Sequence, residues 1–298
     1  MDYHLFKTGG VSLVMGRGYY SKFLREKKGK LLKITKTTPL HNELKYVNII
    51  RRIDDCEKYY AIPDELVFLL KPTDEMYKYF QKLVKNSQDI FQGNVKCFYM
   101  DYAGSKDMLD TLITMSPYSH FSFWSSYKKI LKFIKHILLG LKYLHEKTIC
   151  HLDIKPENIM IDRYKCRFKI IDFGFASMEP FNDFLSCVKG TSGYFPDAYS
   201  QETETEWLPK IIANDMIKIN GNIPMVSDRK LVYKIDSFCF GRVLYFLKYY
   251  YDENIVYGCY NNERKKGKII DKIIDDLVEN DVFKRLTVRE CLNKYFGE

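Results

Sequence analysis

Two short polar motifs constrain this chain more than any other feature of its sequence. The first is residues 151–158, His-Leu-Asp-Ile-Lys-Pro-Glu-Asn, and the second is residues 172–174, Asp-Phe-Gly. Between them lie two short, largely apolar segments, 159–161 and 168–171, whose β-branched residues predict strands. The loops at the ends of such a hairpin can bring their polar side chains to one place.

The side chains of these motifs suit one kind of chemistry. Asp153, Asn158 and Asp172 offer oxygen atoms that accept protons or bind a hard cation such as Mg²⁺. Lys155 adds a positive charge two residues after the first carboxylate. Such a set favours phosphoryl transfer, in which a protein mainly positions the reactants and neutralises charge.

In order, these residues resemble the catalytic loop and the Asp-Phe-Gly motif of eukaryotic-type serine/threonine protein kinases. A chance match in a surface loop is a poor alternative, because eight positions occur in order and a second motif follows. The resemblance implies that Asp153 is the catalytic base and that Lys155 neutralises the transferring phosphate. It also implies that Asn158 and Asp172 hold Mg²⁺, for which Mn²⁺ can substitute.

The same resemblance implies an α+β, bilobal protein-kinase-like fold. A small β-rich N-lobe with helix C would comprise residues 1–102, with an inserted amphipathic helix at about 71–92. A larger, mainly helical C-lobe would comprise residues 103–298, with an insert at about 198–230. Together the two lobes would form one protein kinase domain.

The segment after a predicted strand at 11–14 resembles the glycine-rich loop of the family. Glycine lets the backbone approach phosphate groups closely. In this chain a serine replaces the third glycine and a phenylalanine replaces the valine, and Gly9–Gly10 offers a rival alignment. The resemblance assigns ATP binding to Gly16, Gly18, Ser21 and Phe23.

Residues 30–34 predict the next strand, which resembles the Val-Ala-Ile-Lys segment of kinases. By resemblance Lys33 binds the α- and β-phosphates of ATP, and an ordinary surface lysine is the alternative. Apolar residues at helical spacing predict a helix over residues 39–53. Within it, Glu43 resembles the helix C glutamate that pairs with the lysine.

A strand predicted at 95–100 leads into a segment that resembles the hinge between kinase lobes. Met100 would be the gatekeeper of the ATP site. Adenine would bond to the carbonyl of Asp101 and the N–H of Ala103. Asp107 lies where the family places a ribose-binding acid.

Further residues resemble structural positions of the C-lobe. Apolar residues predict a long helix over 126–147, which delivers the chain to the catalytic loop. A later helix would place Asp236 where it anchors that loop, and Arg285 would pair with Asp197 at the end of the activation segment. In many kinases an arginine precedes the catalytic aspartate, whereas this chain has Leu152. Two motif residues are assigned structural roles, namely His151 and Gly174.

Charge and cysteine content limit the kinds of partner and the cellular compartment that can be expected for this chain. The 47 basic and 38 acidic residues give a net charge of +9, a mild basic excess that indicates a solvated surface more than a nucleic-acid site. The eight cysteines contain no Cys-x-x-Cys pair, so neither zinc nor redox chemistry is indicated. No secretory signal and no apolar run of about 20 residues is present. We therefore expect a cytoplasmic protein that is neither secreted nor membrane-embedded.

Amino-acid usage adds a narrower resemblance. Tyr, Ile, Lys, Phe and Asn are heavily used, and alanine occurs at only five positions. Together with the irregular N-terminal half, this usage resembles the kinases of large cytoplasmic DNA viruses. That resemblance implies the host cytoplasm as location, with the virion as a second one.

These observations predict an active enzyme that transfers phosphate from ATP to serine or threonine hydroxyls of protein substrates. Lys155 and Pro156 favour Ser/Thr over Tyr as acceptor. A pseudokinase that only scaffolds a partner is one alternative, because the glycine-rich loop is degraded. A small-molecule or lipid kinase is another, but residues 190–197 resemble the peptide-binding platform of protein kinases.

Overall fold

The computed structural model describes residues 4–8, 10–15, 30–35, 44–70, 95–101, 103–104, 106–109, 111, 127–162, 167–178, 194, 230–254, 264–281 and 283–298. The chain divides into two compact units. The first comprises residues 1–107 and 160–174, and the second comprises residues 108–159 and 175–298. The first boundary, after residue 107, lies a few residues beyond the predicted lobe boundary at 102/103. The segment 160–174, which was predicted to be part of the C-lobe, belongs to the first unit instead. The predicted inserts at about 71–92 and 198–230 lie outside the described residues, apart from residue 230.

A five-stranded antiparallel sheet dominates the first unit. Its strands are β1 (His4–Thr8), β2 (Gly10–Met15), β3 (Lys30–Thr35), β4 (Pro63–Leu70) and β5 (Val95–Asp101). They lie in the order β1-β2-β3-β5-β4. The strands predicted at 11–14, 30–34 and 95–100 are therefore present, whereas β1 was not predicted. Gly10, half of the rival glycine pair, is a strand residue that pairs with Thr8.

The segment between β3 and β4 differs from the sequence-based expectation. The described part of the predicted helix is helical at residues 44–45 and, after a turn at Tyr46, in α1 (Val47–Ile50), but it does not continue to residue 53; a separate single-turn helix, α2 (Cys56–Tyr59), follows. The N–H groups of Arg52 and Ile53 bond to carbonyls three residues earlier, so the chain leaves the α-helix in tight turns. Asp55 then adopts a left-handed conformation with φ of 54°. The first part of the predicted helix, including Glu43, lies outside the described residues.

A second, three-stranded sheet consists of β6 (Lys106–Asp107), β7 (Ile159–Asp162) and β8 (Arg167–Ile170). The strands predicted between the two polar motifs are thus present. Among the described residues of the first unit, an apolar cluster joins residues that are distant in sequence. Its members are Ala61, Phe98, Met100, Ala103, Met160 and Ile171, with Leu44 packed against them. This burial keeps the segment 160–174 with the N-terminal sheet.

Helices dominate the described part of the second unit. They are α3 (Tyr127–Glu146), α4 (Lys230–Asn254), α5 (Arg264–Leu277) and α6 (Val288–Phe296). The long helix predicted at 126–147 is α3, whose buried face contains Phe133, Ile137 and Leu141. Thr287 and Glu290 form a capping box at the start of α6, which satisfies backbone donors at that helix end.

Cysteines behave as apolar residues in the described part of the chain. Cys150, Cys239 and Cys291 are buried free thiols, and Cys56 is half-buried. Burial is the main reason why the pKa of the Cys291 thiol rises to about 12. Among the described residues, none of the helices has both the length and the apolar character needed to cross a membrane.

A close approach of α4 and α5 requires glycine at position 241. A Cβ atom there would lie 2.7 Å from Val278 Cγ1 and 2.9 Å from Leu277 Cβ. We expect Gly241→Ala to lower the free energy of unfolding by about 1–3 kcal/mol, because overpacking outweighs the roughly 1 kcal/mol that alanine gains in a helix. Urea unfolding followed by circular dichroism measures the change.

A double-mutant cycle supplies the control for this prediction. Val278→Ala removes the atom closest to the new methyl group, so Gly241→Ala should cost less in that background. An equal cost in both backgrounds, or a more stable Gly241→Ala protein, would contradict the proposed clash.

Candidate active site

The catalytic-loop motif in the second unit is bonded to a buried carboxylate of α4. Asp236 is fully buried, and its two oxygens accept hydrogen bonds from the backbone N–H groups of His151 and Leu152, both at 2.8 Å. The Nε2 atom of His145, near the end of α3, lies 2.9 Å from Asp236 Oδ2. One side chain therefore joins two helices to the start of the loop.

Electrostatics keep Asp236 ionised despite its burial. Loss of solvent by itself would raise the pKa of this carboxyl. The hydrogen bond and charge of His145, with the charge and N–H of His151, outweigh that effect and lower the pKa below its ordinary value. His145 also stacks on Tyr233, with ring centroids 4.4 Å apart and planes 13° apart. The imidazole is thus fixed on two sides.

Three of the predicted site residues meet in the loop itself. Lys155 Nζ lies 3.0 Å from Asp153 Oδ2. Asn158 Nδ2 donates to the same carboxylate oxygen at 2.9 Å and to the Asp153 carbonyl at 2.8 Å. All three side chains are at least 94% buried. An amide and an ammonium group therefore fix the Asp153 carboxylate in one orientation.

The amide of Asn158 is suited to bind a cation. Its nitrogen donates to two oxygen acceptors, which places the amide oxygen, Oδ1, on the other side of the group. That oxygen is buried and accepts no hydrogen bond from the described residues. A buried oxygen without a donor is costly unless a ligand satisfies it, and Mg²⁺ prefers such oxygens. The residue thus fits the metal role that the sequence implied.

The backbone around the loop is held on both sides. Cys150 N–H donates to the Ser177 carbonyl at 2.8 Å, and Ser177 N–H donates back at 2.9 Å. Leu152 adopts a left-handed conformation with φ of 64°, although its side chain is buried. Such a conformation is strained for leucine, so the two bonds to Asp236 and the pairing at Cys150 must maintain it.

The Asp-Phe-Gly motif belongs to the first unit. Asp172 has φ of 65°, and its Oδ1 accepts a hydrogen bond from Gly174 N–H at 3.2 Å. A Cβ at position 174 would lie 3.1 Å from the same oxygen, which is one reason for glycine there. The fully buried ring of Phe173 meets Tyr60 edge-on, with centroids 5.9 Å apart. Ala61 N–H bonds to the Ile170 carbonyl at 3.2 Å and so ties the motif to the segment before β4.

The predicted nucleotide-binding residues of the first unit lie on neighbouring strands where they are described. Lys33 in β3 pairs with Val14 in β2 and with Phe98 in β5. Met100 and Asp101 end β5, and the side chains of Met100 and Ala103 are buried. Asp107 is 7% exposed and pairs with Met160 in β7.

Arg285 lies in the second unit, whereas its predicted partner, Asp197, lies outside the described residues. Its Nε donates to the Glu279 carbonyl at 2.7 Å, and its guanidinium lies 4.6 Å from the Phe238 ring centroid. Burial lowers the pKa of this guanidinium to about 10. Five predicted ATP-site residues and this partner lie outside the described residues, namely Gly16, Gly18, Ser21, Phe23, Glu43 and Asp197.

Sequence reasoning missed two residues that shape the site. His145 follows Leu141 and Leu144 on the buried face of α3, and a histidine in such a stripe needs a polar partner. That signal was available in the sequence. Tyr60 carried no comparable signal, because its contact with Phe173 joins distant segments.

Comparison with known proteins places these features in a family. The sequence profile described as protein kinase domain matches residues 21–296. The chain belongs to the protein kinase family. Serine/threonine-protein kinase ppk34 of Schizosaccharomyces pombe is 23% identical over 289 residues, which cover 91% of this chain and 72% of that relative.

Other kinase relatives match over shorter regions. The probable serine/threonine-protein kinase HSL1 of Saccharomyces cerevisiae is 27% identical over 146 residues, 46% of this chain. Serine/threonine-protein kinase dkf-1 of Caenorhabditis elegans is 44% identical over 63 residues, 20% of this chain. Each match spans only 9% of the relative's own length.

The fold is that of a protein kinase. The structure of the Cydia pomonella granulovirus kinase PK-1 superposes with a TM-score of 0.57 at 16% sequence identity, covering 99% of this chain and 94% of that one. The predicted α+β protein kinase fold is thereby confirmed.

Proposed function

We propose that this chain is an active serine/threonine protein kinase that transfers the γ-phosphate of ATP to Ser/Thr hydroxyls of protein substrates. The observation that supports it best is the buried arrangement of Asp153, Lys155 and Asn158. A pseudokinase would have no need to maintain three buried polar groups in this geometry at the cost of their desolvation.

Each residue of the loop has a role in this proposal. The Asp153 carboxylate accepts the proton of the substrate hydroxyl as that oxygen attacks the γ-phosphorus of ATP, while the bond from that phosphorus to the bridging oxygen breaks and ADP leaves. Lys155 stabilises the negative charge on the transferring phosphoryl group. Mg²⁺ would neutralise the phosphate oxygens, with Asn158 and Asp172 as the ligands that the family resemblance implies. Lys33, Glu43 and the hinge residues complete the proposed ATP site.

A direct assay tests the activity. Purified protein is incubated with labelled ATP and Mg²⁺, or Mn²⁺, together with casein, histone and myelin basic protein. Phosphoamino-acid analysis of the products should show phosphoserine or phosphothreonine. Nucleotide binding without any transfer would indicate a pseudokinase, and label only on lipids or small molecules would contradict the substrate class.

We also propose a viral origin, with the serine protein kinase of African swine fever virus as the protein that this chain resembles. Amino-acid usage supports this proposal, and the likeness in fold to a granulovirus kinase is compatible with it. A viral kinase of this type would act in the host cytoplasm or in the virion. A tagged protein that accumulates in the nucleus or the medium of transfected cells would contradict the location.

Lysine variants test the alignment of the N-terminal sheet. We expect Lys33→Ala to lower the turnover number by at least about tenfold, because the substitution removes an ammonium group that would form a charge-assisted hydrogen bond with the phosphates. Lys30→Ala and Lys36→Ala remove the same charge nearby and should stay within about twofold. Equal losses for all three variants would show that the phosphate-binding lysine is elsewhere.

We expect the activity of this protein not to depend on phosphorylation of its activation loop. Leu152 is buried and uncharged where many kinases have an arginine, so an activation-loop phosphate lacks that ion-pair partner. We therefore expect equal initial rates for unmodified and autophosphorylated protein on an added substrate. Mass spectrometry verifies both states, with a Ser186→Ala/Thr191→Ala protein as the control. A gain above about tenfold, roughly 1.4 kcal/mol of barrier, would show that the loop is switched.

A further inference from the structure

Helix α3 has an unusually one-sided charge. No Asp or Glu occurs between Asp110 and Glu146, an interval that contains five lysines. Four of these lysines recur at spacings of four, three and seven residues, which places them on one side of the helix. We call this set the basic stripe, and its members are Lys128, Lys132, Lys135 and Lys142.

The helix gains no stability from this arrangement. Like charges three or four residues apart destabilise a helix, whereas alternating signs would stabilise it. Lys128/Lys132 and Lys132/Lys135 are such pairs. On α5, by contrast, the like-charged pair Lys268/Lys272 has Asp271, Asp275 and Asp276 within three or four residues of its members. The basic stripe therefore differs from an ordinary solvated helix face.

One member of the stripe already holds a carboxylate. Lys135 Nζ lies 2.5 Å from Glu298 Oε1, and the hydrogen bond and charge of Lys135, with the charge of Lys142, lower the pKa of Glu298. At the other end of α3, Glu146 pairs with Arg289 at 2.6 Å. These two ion pairs show that α6 runs antiparallel to α3.

The first part of the stripe has no ion-pair partner among the described residues. Lys128 and Lys132 lie about 10 Å and 4.5 Å beyond Lys135 along the helix axis, away from α6. Both are exposed, and neither forms an ion pair within the described part of the chain. Residues 112–126, which precede the helix, contain no acidic side chain that could neutralise them.

We propose that the basic stripe is a docking site for an acidic segment of a protein partner, and specifically of a protein substrate. This substrate role rests on the kinase activity proposed above. Consecutive alternate residues of an extended peptide lie about 6.6–6.8 Å apart, close to the roughly 6 Å axial spacing of Lys128 and Lys132. Glutamates at alternate positions of such a segment can thus face successive lysines.

A carboxylate partner fits the observations better than a nucleic acid. The occupant seen on Lys135 is a glutamate side chain, held by a single charge-assisted hydrogen bond. The stripe contains no arginine, the residue that binds phosphate in a bidentate manner. Lysine acts as a point charge and needs no planar partner.

A binding experiment tests the site without requiring activity. A fluorescein-labelled decaglutamate peptide is titrated with the purified 298-residue protein at low salt, and anisotropy gives Kd. We expect Lys128→Gln/Lys132→Gln to weaken binding about tenfold, from the loss of two ion pairs. Lys268→Gln/Lys272→Gln on α5 is the matched control, because it removes two exposed lysines at the same spacing, and it should stay within about twofold. Circular dichroism verifies that both variants are folded.

The outcomes separate the alternatives. No binding, or equal losses in the two double variants, would overturn the site. Tighter binding of a labelled ten-nucleotide oligothymidine, lost only in the α3 variant, would replace the acidic protein by a nucleic acid and so overturn the proposal.

A kinetic experiment tests the substrate role separately. A substrate peptide with an acidic extension should show a KM about tenfold higher with the α3 variant, at unchanged kcat. The same peptide without the extension should show no change. If the protein binds decaglutamate but phosphorylates neither peptide, the kinase proposal fails while the docking surface stands. If both peptides are phosphorylated with unchanged KM, the surface does not serve substrates.

Discussion

Replacing Asp153 by asparagine is expected to lower the turnover number by about a hundredfold to ten-thousandfold, the range that a general base supplies. Asparagine keeps the size of the side chain but cannot accept the proton of a substrate hydroxyl. Lys155 and Asn158 both contact the oxygen that changes, so the effect arises at the centre of the loop. ATP affinity should change by less than about threefold, because this carboxylate is not assigned to the nucleotide.

Two measurements check this expectation. Single-turnover phosphorylation of a peptide reports the chemical step, and titration with a fluorescent ATP analogue reports nucleotide binding. Asp275→Asn, which removes an exposed carboxylate of α5, is the control and should leave both unchanged. Undiminished autophosphorylation by Asp153→Asn protein would contradict the role of Asp153 as the base.

Asp236→Asn should lower the free energy of unfolding by about 3–5 kcal/mol. The carboxylate accepts from two backbone N–H groups and contacts His145. An amide has only one accepting oxygen, so one of these donors would face an NH₂ group in a site without solvent. Turnover should also fall, because the start of the catalytic loop loses its anchor.

Urea unfolding measures the loss, and the adjacent Ser237→Ala is the matched control. Ser237 is also fully buried on α4, and its hydroxyl donates to the Tyr233 carbonyl at 3.3 Å. Its loss should cost only about 0.5–1.5 kcal/mol, the value of a neutral hydrogen bond. Similar losses for the two variants would mean that Asp236 acts through packing alone.

The contribution of Asp236 also has a defined pH dependence. Its folded-state pKa lies below the ordinary value of 3.8, so the folded protein binds a proton less readily than the unfolded chain. The stabilisation is therefore complete above that ordinary value and is lost as pH falls through the lower folded-state pKa. The stability difference between wild type and Asp236→Asn should accordingly shrink below about pH 4. A difference that grows under acid conditions would contradict this sign.

The sequence was most informative where function depends on local spacing. Asp153, Lys155 and Asn158 lie within six residues, so one turn brings them together whatever the rest of the chain does. Hydrophobic periodicity located α3 for a similar reason, because a helix of that length needs only its own hydrogen bonds and one apolar face.

Apolar periodicity correctly predicted buried residues within 47–53, but it did not predict where the helix ends. Val47 and Ile50 are buried, as their spacing predicted, but the backbone between them and Asp55 turns instead of continuing a helix. Apolar spacing reports which residues face the core, and it does not report which carbonyl each N–H bonds to. β1 was missed because only two of its five residues, Leu5 and Phe6, are apolar, and they are adjacent instead of alternating with polar residues.

Long-range pairing could not be predicted from local patterns. The bond from Ala61 to Ile170 and the pairing of Asp107 with Met160 place residues 160–174 in the first unit. No sequence pattern near residue 102 or near residue 160 indicates that these segments pair with each other. The extent of each unit is therefore a property of tertiary contacts, which only the structure reveals.

The discontinuity of the first unit has a consequence for the protein while it is being synthesised. At a translation rate of about 5–20 residues per second, the ribosome needs roughly 3–13 s to progress from residue 107 to residue 174. During that interval Phe98 and Met100 lack Met160 and Ile171, the residues that later cover them. The nascent sheet thus passes through a stage with an exposed apolar face, when chaperones or neighbouring chains can bind it. Slower decoding between these two points would lengthen the period in which the growing polypeptide is prone to aggregate.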